Sequence, residues 1–280
     1  LQKRQKNNGG YFMQKKLGNK ESVKSVLYPV VFGLILILLW QFQILHSVLG
    51  TDTFTLPLPS RIINILVDNF GKMTGDIKAT VLVALGGLVL GSVFGFVIAM
   101  IAAMCPHWGK GGLSLATAFN AIPIIAIAPI FNNLTKDFSS DPNTRSMLAK
   151  ILVVMITCTV SMAINAYRGF VELKPFSLDL FKSYAAKPMT VFFRLRLPNC
   201  IPYIFTALRV SVPGCVISAM VSEYFAEYII GVGRQIRESI VLAQYATAWA
   251  YIVIACLIGI IMYAILLVVE SFVLRHRAKK

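Results

Sequence analysis

The sequence predicts an all-α polytopic membrane protein that crosses the bilayer about six times, with both termini cytoplasmic. Three observations lead there: apolar runs long enough to span, a shortage of charge, and a one-sided distribution of the charge that remains. Of the 280 residues 57% are hydrophobic and 14% charged, and the mean hydropathy is +0.72. A soluble chain carries roughly a quarter charged residues, so lipid is the indicated solvent.

A helix needs about 20 apolar residues to cross about 30 Å of hydrocarbon. Six stretches qualify: Val26–Leu45, Ala79–Met104, Leu113–Phe131, Ile151–Tyr167, Ile201–Ser222 and Ala248–Val269. Residue 1 is Leu and the first Met is Met13, so Met13 reads as the start and Leu1–Phe12 as upstream sequence. No small-residue cleavage site follows the first span, which therefore reads as a retained signal-anchor. The third span holds Asn120, Pro123 and Pro129, which predicts a bent helix packed against protein. The fifth carries Arg209 in its first turns, its head expected to reach back to the inner interface. Residues 1–25 then form a cytoplasmic tail, 26–272 the membrane domain with a long inner loop at 168–200, and 273–280 a basic tail.

Charge sets the orientation. Alternate connections total +15 on one side of the membrane and zero on the other, which places the first side in the cytoplasm. That one-sidedness accounts for the net charge of +15 without a nucleic-acid partner. Cys105, Cys158, Cys200, Cys215 and Cys256 are scattered, without metal-ligand spacing, and read as small buried hydrophobes. His46, His107 and His276 lie in three different segments, and no catalytic constellation or metal site can be argued. The chain has no GxxxxGK[ST] loop, so no P-loop here binds a nucleotide.

The connection between the fourth and fifth spans is far longer than a link requires. Within it Ser177–Ala186 can form a short amphipathic helix, with Ser177 as N-cap and Asp179 near the positive end of the dipole. Leu180, Phe181 and Tyr184 share its apolar face, Pro188 ends it, and Val191, Phe192 and Leu195 begin a second stripe. Such a helix can fill a groove on a partner or lie flat on the membrane surface.

This loop resembles the signature of binding-protein-dependent ABC importer permeases, written EAA, three residues, Gly, nine residues, Ile-x-Leu-Pro. Leu195-Arg196-Leu197-Pro198 matches its end, Ala185 falls on the Gly, and Asp179-Leu180-Phe181 fall on the EAA triplet. The resemblance continues in IPYIFTALRV at the fifth span, the later Glu223, Gly231-Val232-Gly233 and Tyr245-Ala246-Thr247. LPLPSRIINIL and IPIIAIAPIFNN are similar to the nitrate/sulfonate/taurine-type branch, and the likeness covers residues 28–277.

The resemblance implies a type I importer permease in the bacterial inner membrane, itself not an enzyme. It would work with a cytoplasmic ABC ATPase dimer that carries ATP and Mg2+, a second permease subunit, identical or not, and an extracytoplasmic substrate-binding protein. Ser177–Ala186 would be the coupling helix, with Asp179, Lys182 and Tyr184 making polar contacts to the ATPase and Leu180 and Phe181 filling its groove. Ala185 is tolerated there in a helical conformation and strained in a left-handed one. The branch implies a small polar solute or oxyanion such as nitrate, a sulfonate or taurine. APIFNN is closer to permeases for vitamin precursors such as a pyrimidine or riboflavin.

Polar residues inside the spans are the candidates for the solute pathway: Asn120, Asn132, Ser161, Asn165 and Glu223, with Asn133 and Glu227 beside them. Each could instead bond a neighbouring helix, and Glu223 could be a solvated interfacial carboxylate or contact the binding protein. Gly87, Gly91 and Gly95 repeat at four-residue spacing, which predicts close helix packing. Competing classes are an ion-coupled carrier, disfavoured by the lack of internal repeats and intramembrane charge, and a scaffold without transport activity. The 136–150 outer loop has no assigned role.

Overall fold

The computed structural model describes residues 27–105, 123–135, 137, 141–225 and 230–275. The helices in these segments are α1 (Leu27–Gln41), α2 (Ile44–Leu49), α3 (Pro59–Met104), α4 (Ile124–Leu134), α5 (Pro142–Val171), α6 (Ser177–Ser183), α7 (Pro188–Val191), α8 (Leu197–Phe225), α9 (Val232–Val241) and α10 (Tyr245–Leu274). A π-helical turn, Phe192–Arg196, joins α7 to α8, and there is no strand among the described residues. Among the described residues, four helical stretches are long and apolar enough to cross a membrane: Pro59–Met104, Asn143–Val171, Pro188–Phe225 and Tyr245–Leu274. The first and third expected spans fall partly outside the described residues.

The chain divides into two units at Val67 and Asp68. In the first, α1 exposes nearly all its apolar side chains, as a helix facing lipid does. Gln43 and Gly50, both left-handed at φ 62° and 63°, bracket α2. The segment Leu-Pro-Leu-Pro-Ser leads into α3, and Pro59 is its first residue, where a missing N–H leaves no bond unmade. Gln41 serves that helix end: its Oε1 accepts from the Ser60 N–H at 3.1 Å, and its Nε2 donates to Ser60 Oγ at 3.2 Å. His46 Nε2 contacts the Leu56 carbonyl at 2.6 Å, and Asp52 accepts from the Thr55 N–H at 2.9 Å, which holds its carboxyl below the ordinary value.

In the second unit α3, α5 and α8 form the centre. Expected to begin at Ala79, the second span is the end of a 46-residue helix. The hydropathy pattern marks its apolar part, and nothing between Pro59 and Ala79 stops the helix. At Gly87, Gly91 and Gly95 an added Cβ would overlap Val154, Met155 and Cys158, and Thr159 and Met162 respectively. The glycine repeat is therefore the seam of α3 with α5, as expected. Below it Ala99, Ala103, Met162, Ala166, Phe170, Cys200 and Ala207 form a buried cluster. Helices α5 and α8 are in extensive contact.

The cysteine expectation needs correction. Cys158 on α5 and Cys215 on α8 meet sulfur to sulfur across that contact, and Cys200 Sγ donates to the Ala166 carbonyl. Cys105 and Cys256 are exposed. The bend expected at two prolines also changes: Pro123 precedes α4, at φ −60° and ψ 126°, and only Pro129 lies inside the helix. Pro123, extended as the N-cap, starts α4 and does not kink it.

Candidate functional site

Two regions at opposite ends of α5 hold the functional candidates. At the end that the charge count assigns to the exterior, the chain after α8 turns into the short helix α9 through Gly231-Val232-Gly233. The first N–H groups of a helix lack intrahelical acceptors and carry the positive end of its dipole. Here two carboxylates and a hydroxyl take them. Gly231 N donates to Asp76 Oδ1 at 3.0 Å, Val232 N to Thr80 Oγ1 at 2.9 Å, and Gly233 N to Glu223 Oε2 at 2.9 Å. The Thr80 hydroxyl in turn donates to the Glu223 carboxylate, 2.9 Å from both oxygens. Tyr251 Oη donates to Asp76 Oδ2 at 3.1 Å, and Lys150 Nζ to the Ile230 carbonyl at 3.1 Å.

Glycine is required twice in this knot. Gly231 has φ 126°, and a Cβ on it would overlap the Glu223 carboxylate; a Cβ on Gly233 would overlap the Met220 carbonyl. Asp76, Thr80, Lys150 and Glu223 are all buried, Glu223 at 0% exposure. The knot fastens α3, α8, α9 and α10 to one another and leaves its carboxylates fully bonded. Glu223 is thus buried and hydrogen-bonded on both oxygens in this arrangement, not a solvated interfacial carboxylate.

The other region is the inner loop. Helix α6 is seven residues long, and none of them is buried. Phe176 is its N-cap, left-handed at φ 62°, so Ser177 is the first helical residue and makes no cap. Pro188 does not end α6 but opens α7. The helix closes instead through a Schellman pair: Ala185 N donates to the Lys182 carbonyl at 2.9 Å and Ala186 N to the Phe181 carbonyl at 3.0 Å. That closure puts Ala185 at φ 48°, the left-handed conformation in which a Cβ is strained.

The apolar face of α6 is shifted from the expected one. Phe176 is 83% exposed, Leu180 56% and Tyr184 78%, whereas Phe181 is half-buried. Leu180 lies within the helix, and Phe176 and Tyr184 are its N-cap and C-cap. Asp179 and Lys182 pair with each other at 3.5 Å on the surface. Beyond α7 the chain is anchored firmly. Phe192 stacks on Phe170 with centroids 5.5 Å apart, and Phe170 meets Phe96 at 5.5 Å. Arg196 donates to the Ala103 carbonyl at the end of α3, and Asn199 Nδ2 to the Gly169 and Glu172 carbonyls at the end of α5. Leu197 and Pro198 are half-buried, Leu197 against the buried cluster.

The other predicted residues do not converge. Asn165 Nδ2 donates to the Ser161 carbonyl of its own helix at 2.9 Å. Asn132 lies on α4 and Asn133 beside it is exposed; Asn120 and Glu227 lie outside the described residues. Arg209 is not a lone interfacial anchor. It forms a two-point ion pair with Glu270 of α10, Nη2–Oε1 2.7 Å and Nε–Oε2 2.8 Å. Sequence reasoning passed over Asp76, Thr80, Lys150, Tyr251 and Glu270. The spacing of Asp76 and Thr80 at i, i+4 was the available signal, hidden because both were read as lying at or before the edge of a span.

A model of the family described as binding-protein-dependent transport system inner membrane component matches residues 91–275. The chain is 27% identical over 255 residues to the formylaminopyrimidine transport permease protein ThiX of Halalkalibacterium halodurans, which covers 91% of this chain and 97% of that one. It is 25% identical over 200 residues to a probable ABC transporter permease protein of Haemophilus influenzae, 71% of this chain and 77% of that one. It is also 28% identical over 85 residues to the bicarbonate transport system permease protein CmpB of Synechocystis, 30% of each chain.

Proposed function

We propose, for a chain that belongs to the binding-protein-dependent transport system inner membrane components, that α6 is the surface through which a separate ATPase drives solute import. The chain is a multi-pass permease subunit of an ABC importer in the bacterial plasma membrane, a transporter component and not an enzyme. The carrier and scaffold alternatives are set aside with that membership.

The observation that carries the proposal is a helix with no buried residue, whose Leu180 is exposed together with Phe176 and Tyr184 at its two caps. A small helix that, with its two caps, shows three large side chains to water needs a groove to cover them. The aromatic stack from Phe192 through Phe170 to Phe96, with the Arg196 and Asn199 bonds, ties the base of this loop to α3 and α5. A push on α6 is then passed to the spans without being absorbed in a slack linker. ATP and Mg2+ belong to a cytoplasmic ATPase dimer, a second permease subunit completes the pathway, and an extracytoplasmic binding protein delivers the solute. Leu197 and Pro198 hold the base of the loop, and Ala185 sets its turn.

For the solute we favour a small polar heteroaromatic compound of the pyrimidine-precursor type over nitrate, a sulfonate, taurine or riboflavin. The near full-length likeness to a formylaminopyrimidine permease supports it, against a likeness over 30% of the chain to a bicarbonate permease. Asn132 and Asn165 remain pathway candidates within this proposal.

A photo-cross-linker attached at Leu180→Cys tests the docking face in membranes that contain the co-expressed neighbouring ATPase. An adduct with the ATPase at Leu180, absent from the same probe at Lys78 on the other end, is the expected result. Adducts only with lipid would place α6 on the membrane surface and end the proposal. Uptake of labelled formylaminopyrimidine, compared with taurine, by cells that express the whole importer tests the solute class.

A further inference from the structure

We propose that the notch between α3 and α5 at the outer end binds the phosphate headgroup and one acyl chain of an anionic outer-leaflet phospholipid. The notch has a volume of about 450 Å³ and changes character along its length. Lys78, Lys150, Thr144 and Ser146 line its outer part, and Leu82 and Ile151 the part toward the bilayer centre. Among the described residues no carboxylate lines it, because Asp76 and Glu223 are turned into the knot around Gly231.

The donors fit an anion. Lys150 is 6% exposed and uses one of its three protons on the Ile230 carbonyl. Ser146 Oγ is buried without a hydrogen-bond partner among the described residues. Lys78 is exposed and makes no hydrogen bond or ion pair among the described residues. Two ammonium groups thus stand over one notch, on the side of the membrane where the connections carry no net charge.

The apolar part fits a chain. From Leu82 the same face of α3 continues through Val89 and Val93, which are 59% and 57% exposed. Their spacing is that of one helix stripe, and it runs from the lysines toward the bilayer centre. A small soluble anion would use the lysines and leave this track unoccupied. A phospholipid matches both halves at once: phosphate to the lysines, acyl chain along Leu82, Val89 and Val93.

The test is lipid retention by the purified full-length chain in detergent, titrated with phosphatidylglycerol or phosphatidylcholine and read by native mass spectrometry. Lys78→Ala removes a headgroup contact at an exposed site, and Leu82→Trp fills the chain track; neither residue belongs to the knot. Phosphatidylglycerol should bind in preference to phosphatidylcholine, Lys78→Ala should weaken it about fivefold, and Leu82→Trp should weaken both lipids. Retention unchanged in both variants would overturn the proposal. So would displacement of the lipid by millimolar glycerol phosphate, which would make the notch a site for soluble anions.

Discussion

The knot at Gly231–Gly233 and the inner loop at α6 use the same device, a backbone turn that closes or opens a short helix, in opposite ways. In the knot the positive-φ position is a glycine, the N–H groups of Gly231, Val232 and Gly233 each find an oxygen, and the carboxylates are buried. In the loop an alanine stands in the left-handed position, the polar residues face water, and three large apolar side chains are uncovered. Internal satisfaction is what a fixed anchor requires, since buried polar groups left unpaired are costly. Unmet apolar surface and a strained turn are what a docking element has left over until its partner arrives. The contrast is not one of polarity: the buried carboxylates hold the knot together, and the exposed hydrophobes are the side chains we propose to dock.

The sharpest way to break this contrast is at Glu223. Glu223→Ala leaves the Gly233 N–H and the Thr80 hydroxyl without their acceptor beside a buried lysine, and should lower stability by about 3–5 kcal/mol. Gly231→Ala, which forces a Cβ into the same carboxylate, should be at least as damaging; both are read from thermal unfolding in detergent and membrane yield. A smaller loss is expected along the seam. Gly91→Leu pushes into the Met155 carbonyl and should cost about 1–3 kcal/mol, while Gly259→Ala, with nothing within 4 Å, should be harmless.

The loop should answer with the opposite sign. Ala185→Gly relieves a left-handed alanine and should stabilise the α6 closure by about 1 kcal/mol. Amide exchange at Ala186 should then slow about fivefold, and unchanged exchange would show that the turn is not strained. A weaker and pH-dependent effect belongs to the α5 start. The Thr144 hydroxyl, with the backbone N–H groups of Asn143 and Thr144, holds the Asp141 carboxyl below its ordinary value of 3.8. Its contribution is complete above that value and is lost as pH falls through the depressed one. Fraying of the first turn of α5 should therefore grow only in strong acid, and Asp141→Asn should remove that dependence. The smallest effect is expected at the exposed Asp179–Lys182 pair, where Asp179→Asn should change folding stability by no more than about 0.5 kcal/mol.

The membrane architecture was legible in the sequence because lipid imposes its demands on every residue of a span. The runs of Ala248–Val269 and Ala79–Met104 and the glycine repeat at Gly87 could be read directly. So could the segment that forms α6, and with it the question of what Ala185 would do. The knot was not legible. Thr80 and Glu223 are 143 residues apart, and Asp76 lies 155 before Gly231. Hydropathy reports apolar density and not depth, so Asp76 and Lys150 were read as loop charges when α3 and α5 carry them inside. The Arg209–Glu270 pair escaped for a similar reason, with each partner near the edge of its own span.

The most direct test of the account is co-purification of the tagged chain with its neighbouring ATPase, comparing wild type with Leu180→Asp/Tyr184→Asp, alongside the thermal stability of each. The account predicts that the double variant inserts and melts like wild type but loses the ATPase. An ATPase that stays bound to the variant, or that never binds the wild type, would contradict it.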